Sequence, residues 1–344
     1  VSRVPVRLVA LAAGALAVLA TGVFLVVRSD GAAPVPTEVA SGAPSATARA
    51  TAALQFRRLQ DPPRTEVLGG DGSTVAVFTD TSRTVRLTGP ERVFAEPKYT
   101  PATVRTDQWI RLAPHPWSAG QETQPWFAPW LKSATADRTP DVLGVAMEYG
   151  YGAQPLTDPT GQQIAGDAAF GPLSDADPDG RAENSDFYDY LGVPWSFPDG
   201  KKEQPDPERI HSLDCSGFIR MVYGYRLGLP LRGTNTPGEG ALPRRAYAMA
   251  EFGPGQIVIP NSGTQARDFD KLQPGDLLFF HTASAEGASI EHMGIYLGID
   301  DAGHQRFISS RTKANGPTLG DAGGESILDG TGYWAVRFRT ARRV

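Results

Sequence analysis

Asp214-Cys215-Ser216-Gly217-Phe218-Ile219-Arg220-Met221-Val222-Tyr223 (214–223) carries the reading of this chain. Asp214 is a helix-capping residue type, and Phe218, Ile219, Val222, Tyr223 and Leu227 recur at helical spacing up to Gly228, so a helix with one buried face is predicted from Asp214. Cys215 then stands in its first turn. Unpaired amides and the positive end of the helix dipole there favour an anion, which predicts a thiol with a lowered pKa. Cys215 is the one cysteine among 344 residues, which excludes an internal disulfide and any multi-cysteine zinc or iron–sulfur site.

Strand-forming runs follow the helix at Gln256–Ile259, Asp276–Phe280, His292–Leu297, Arg306–Ser309 and Tyr333–Arg339. Helices first and strands afterwards, some at hairpin spacing, predict an α+β domain with an antiparallel sheet packed on the cysteine-bearing helix. Upstream, Thr139-Pro140-Asp141 reads as a helix start with a hydroxyl cap and proline at the first helical position, followed by the apolar face Val142, Val145, Ala146 and Tyr149.

A thiol nucleophile needs a base, and His292, opening the run HMGIYLG (292–298), is the candidate; the two meet if the strands cross the helix N-terminus. Zinc held by Cys215, His292 and His304 is the weaker alternative, since no two of them share close ligand spacing. No G-x-S-x-G element is present to suggest a serine hydrolase.

DCSGF (214–218), LQPGDLLFF (272–280) and HMGIYLG (292–298), in this order, resemble the NlpC/P60 cysteine peptidases, bacterial cell-wall hydrolases of papain-like fold. The resemblance covers about 140 to 340. It implies Cys215 as nucleophile, His292 as base, a polar third residue orienting the imidazole, and stem peptides of peptidoglycan as substrate. No cofactor is implied. In the frame Phe307-Ile308-Ser309-Ser310 the third residue is Ser309, where the family usually has histidine; His304 is its rival. The family's upstream Pro-Tyr is here Pro194-Trp195, so Trp195 takes the oxyanion or pocket-wall position, and Asp214 and Ser216 fall on the groove floor. A catalytically inactive wall-binding or scaffold protein on the same fold is the alternative, with a thiol acyltransferase third.

The rest of the chain supplies context. Residues 8–27 are uncharged and, at about 1.5 Å rise per residue, reach about 30 Å, so 1–28 reads as a transmembrane anchor or a signal segment, with the C-terminal part exported in either case. A single-pass membrane protein with an extracellular C-terminal domain is expected, or a secreted one if the segment is removed. Residues 29–53, rich in Ala, Ser, Thr and Pro, read as a disordered tether. Residues 54–135 form a small β-rich module and 136–344 the peptidase-like domain. Trp109, Trp117, Trp126 and Trp130 are read as core packing of that module.

With 40% apolar and 21% charged residues the chain folds, and the 38 Gly and 29 Pro predict many loops. A net charge of −5 removes the basis for sequence-independent nucleic-acid binding, and a monomer is expected. Asp175, Asp177, Asp179, Gly180 and Asp186 follow the spacing of a calcium loop, for which a structural calcium is weighed against a plain acidic surface turn.

Overall fold

The segment read as a small β-rich module (54–135) holds a five-stranded antiparallel sheet in the order β1 (Gln55–Leu59), β2 (Arg64–Leu68), β3 (Thr74–Thr79), β4 (Thr84–Ala95), β5 (Thr103–Leu112). The structure, a computed structural model, describes residues 54–175, 180–238 and 240–344. The expected anchor (1–28) and tether (29–53) lie outside the described residues. Among the described residues no helix is long and apolar enough to cross a membrane.

One face of this sheet is covered by α1 (Phe127–Ala136), and Val67, Phe78, Val85, Leu87, Trp117, Phe127 and Leu131 close a core there. Trp117 is fully buried, with Phe78 at 4.3 Å between ring centroids, while Trp109, Trp126 and Trp130 pack against the same core. The tryptophans are therefore packing residues.

The chain continues through α2 (Val142–Met147), the short hairpin β6 (Leu156–Thr157) and β7 (Gln163–Ala165), α3 (Phe187–Leu191), and a second hairpin of β8 (Trp195–Ser196) and β9 (Lys202–Glu203). The cap of α2 is Asp141 rather than Thr139: its carboxylate accepts from the Gly144 amide and also holds Arg92 of β4 at 2.6–2.7 Å. A carboxylate serves both roles where a hydroxyl serves only the first.

The cysteine-bearing helix α4 (Cys215–Ile219) continues as a π-helical segment, Arg220–Arg226, and α5 (Ala246–Phe252) follows. These lie against a six-stranded antiparallel sheet ordered β10 (Gln256–Ile259), β15 (Phe338–Arg343), β11 (Leu277–Phe280), β12 (His292–Ile299), β13 (Gln305–Arg311), β14 (Gly316–Thr318). Both faces of the sheet are buried, and the alternation of side chains divides them. Leu277, Phe279, Met293, Ile295 and Ile308 belong to the core that holds α4, while Leu278, Phe280, Tyr296, Phe307 and Trp334 fill the core behind. The strand expected at Tyr333–Arg339 starts later, because Ala335–Arg337 form a 3-10 turn before Phe338 joins the sheet.

The two sheets belong to one compact unit. Thr84 and Arg83 donate their amides to the Val344 carbonyl at 2.6 and 3.0 Å, and Arg343 spans from Thr79 to Asp276 at 2.8 Å.

Candidate active site

Asp214 caps α4 as its composition suggested, accepting from the Gly217 amide at 2.7 Å. Cys215 is the first helical residue. The helix start is pressed against the segment entering α3: Asp214 donates its amide to the Ser185 carbonyl at 2.8 Å, and a Cβ on Gly217 would come within 2.1 Å of that same oxygen. Glycine is thus required here by close approach, which explains its place in the motif.

Strand β12 brings His292 to the head of α4. The Cys215 Sγ lies 3.9 Å from the carbonyl oxygen of Glu291, the residue before His292, and the Met293 amide also faces the thiol. Cys215, His292, Arg311, Lys313, Tyr333 and Trp334 line one cavity of about 430 Å³. A second, of about 460 Å³, also reaches Cys215, along Asp214, Ser216, Asn235, Arg245 and Tyr247. The thiol therefore sits between two arms of a cleft.

The electrostatics oppose the simple expectation for a helix N-terminus. Burial pushes the Cys215 thiol up, and the neighbouring Asp214 and Glu183 carboxylates push it further. Burial brings His292 down to about 3, with the Arg311 guanidinium adding to the effect and Asp214 opposing it. The predicted lowered thiol pKa is thus corrected. Desolvation of a nearly enclosed sulfur outweighs the partial charge of the helix end, and the resting pair is a neutral thiol beside a neutral imidazole. Iodoacetamide alkylation of this single cysteine is accordingly expected to be slow at about pH 7 and to rise about tenfold per pH unit to about pH 9. A plateau beginning near about pH 6 would instead reveal a preformed thiolate–imidazolium pair.

Ser309 lies on β13 opposite Gly294, and its hydroxyl accepts from Arg311 Nε at 2.9 Å rather than bonding the ring. His292 Nε2 is buried with no hydrogen-bond partner among the described residues. The expectation that Ser309 orients the imidazole is corrected: its side chain is short and is already engaged by Arg311. His304 is corrected as the rival. It sits at the far end of the β12–β13 hairpin, half exposed, with Nδ1 at 2.7 Å from Asp329. That distance from the cleft also removes the zinc alternative, and no group of side chains suited to a metal occurs among the described residues.

Trp195 lines neither arm of the cleft. Its ring packs edge-on to Phe187 at 4.9 Å and to Tyr225 at 5.9 Å, so its expected oxyanion or pocket-wall position is corrected to aromatic packing beneath α3. Asp214 and Ser216 do line the cleft, but their polar atoms are engaged: Arg244 bonds Ser216 Oγ at 2.6 Å and Asp214 at 3.0 Å, and Ser216 donates to Asp214 at 3.0 Å.

Asp186 is corrected as a calcium ligand. It is completely buried, caps α3, and receives Arg220 Nε at 3.0 Å on both oxygens with Arg244 at 3.3 Å. Two guanidiniums already neutralise the carboxylate and fill its lone pairs. Asp175 is exposed, and Asp177 and Asp179 lie outside the described residues.

Sequence reasoning missed Arg311 and Trp334. Arg311 shares the face of Ser309 by strand alternation, a signal present in the sequence. Trp334 arrives from a segment with no local mark of its role.

Parts of the chain are similar to known proteins. Residues 192–318 match the family model described as NlpC/P60 family. The probable endopeptidase NlpC of Escherichia coli (strain K12) is 31% identical over 132 residues, which is 38% of this chain and 62% of the length of that relative. A crystal structure described as similar to lipoprotein, NLP/P60 family, from Staphylococcus aureus is 20% identical, covering 68% of this chain and 50% of that one with a TM-score of 0.27. With α4 and its thiol packed on an antiparallel sheet that carries His292, residues 192–318 are similar to the NlpC/P60 family.

Proposed function

We propose that this chain hydrolyses peptide bonds in the stem peptides of peptidoglycan, with Cys215 as nucleophile and His292 as base. The observation that carries the reading is the one thiol of the protein, at the head of α4, opening on a cleft that it shares with His292. Similarity to a probable endopeptidase supports the same direction.

In the reaction, His292 takes the thiol proton as Sγ attacks the scissile carbonyl carbon. The Cys215 amide, which has no partner within its own helix, faces the resulting oxyanion. The imidazolium returns its proton to the leaving amine, the C–N bond breaks, and a thioester remains. Water then attacks the thioester with His292 again as base, releasing the acid and restoring the thiol. Because the resting pair is neutral, proton transfer accompanies attack instead of preceding it. The uncharged stretch 8–27 supports delivery of the domain to the wall side of the membrane.

A second reading has its own support. An imidazole without a hydrogen-bonded orienting residue, beside a thiol held neutral, suits a groove that recognises wall peptides without cutting them. Incubation of the protein with bacterial sacculi separates the two. New amine-terminated peptide fragments that disappear after alkylation of Cys215 are the expected result; sacculi that bind the protein and stay intact overturn the hydrolase reading in favour of the scaffold.

A further inference from the structure

The base of this site lies in an aromatic setting. The His292 ring faces Trp334 at 4.5 Å between centroids with a tilt of 33°, and Phe280 stands at 5.9 Å. Its buried Nε2 has no hydrogen-bond partner among the described residues. The nearest strand residue of the right polarity, Ser309, is bonded to Arg311.

Trp334 is itself held from several directions. Its Nε1 donates to the Gly323 carbonyl at 3.1 Å, and the Arg311 guanidinium lies 4.7 Å over its ring. That guanidinium in turn binds the Gly324 carbonyl at 2.7 Å and Ser326 Oγ at 2.6 Å, so one loop anchors both the tryptophan and the arginine stacked on it. Phe280 meets the Trp334 ring edge-on at 5.3 Å. The indole is a fixed plate, and the imidazole lies against it.

We propose that Trp334 is the positioning residue of His292, fixing the ring plane by stacking where related sites would fix it by a hydrogen bond. The inference rests on the reading of Cys215 and His292 as the reacting pair. Stacking restrains the tilt and rotation of the ring, and the indole also shields the imidazole from water, which keeps it neutral at rest. The groups with charge facing the imidazole are Arg311, which disfavours its cation, and Asp214, which favours it.

The test compares Trp334→Leu, Trp334→Phe and Ser309→Ala in the chain as it stands, with folding checked by circular dichroism. Two readouts are taken: kcat and KM on a peptidoglycan stem peptide, and the titration of the His292 ring nitrogens followed by NMR. Trp334→Leu is expected to lower kcat by about 10²-fold with KM changed by less than about threefold, the scale of a misplaced catalytic group. It should also move the ring titration upward as water reaches the imidazole. Trp334→Phe is expected to recover most of kcat and the original titration, and Ser309→Ala to alter neither.

A fall in kcat for Ser309→Ala equal to that of Trp334→Leu overturns the proposal, as does an unchanged titration in Trp334→Leu. Should Trp334→Leu not fold, Ser309→Ala and Trp334→Phe decide: near-normal turnover in both supports the proposal, and loss in Ser309→Ala sinks it. If the protein cleaves no peptide at all, the hydrolase reading fails by itself, while the ring titration still tests whether Trp334 holds His292.

Discussion

Replacing His292 by leucine is expected to cut hydrolysis of a stem peptide by about 10²- to 10⁴-fold, the contribution typical of a positioned general base. The same substitution should change how the protein responds to acid. The ordinary histidine value is 6.5 and burial brings His292 in the folded chain to about 3. Between these limits the unfolded chain binds a proton that the folded chain refuses. Stability from this residue is therefore complete above about pH 6.5 and is lost as pH falls toward about 3, by at most about 1.4 kcal/mol per pH unit. His292→Leu removes that slope. Urea midpoints of the two proteins at about pH 7, 5 and 4 should diverge in favour of the variant as pH falls; parallel losses would show that His292 is not the buried neutral group described.

Asp186→Ala is expected to destabilise the fold by about 3–5 kcal/mol, the cost of leaving a buried guanidinium without its carboxylate. Asp186 and Arg220 are both completely buried, and Arg244 links the pair to Asp214 at the cap of α4. The remaining contacts of Arg220 are to the carbonyls of Arg232, Leu242 and Pro243, which cannot supply the lost charge. The double variant Asp186→Leu with Arg220→Met should be less damaging than Asp186→Ala, since a well-packed apolar pair avoids the unpaired charge. Chemical unfolding of the three proteins checks the order. A loss below about 1 kcal/mol for Asp186→Ala would mean that water reaches Arg220 and that the network is not sealed.

This network explains why the calcium reading of Asp186 fails. Alternate carboxylates ending at Asp186 satisfy a spacing rule in one dimension. Arg220 and Arg244, distant in sequence, claim that carboxylate in three. Trp195 shows the same limit: its sequence frame points to the oxyanion, while α3 places Phe187 beside it and draws the indole into packing. Ser309 occupies the expected strand, yet Arg311, two residues along the same face, engages its hydroxyl.

What the sequence determined by itself is local. Asp214 before an apolar helical period places Cys215 at a helix start, and the runs beginning at Leu277 and His292 supply adjacent antiparallel strands that carry the imidazole to it. Capping, periodicity and alternation act over a few residues and are readable there. Tertiary structure alone decided the environment of the pair: how far the sulfur and the ring are removed from water, which cation stands beside the imidazole, and which aromatic plate it rests on. These depend on Arg311, Trp334 and Glu183 arriving from separate segments, and the energy of desolvating a charge exceeds the helix-end field that the local sequence could predict.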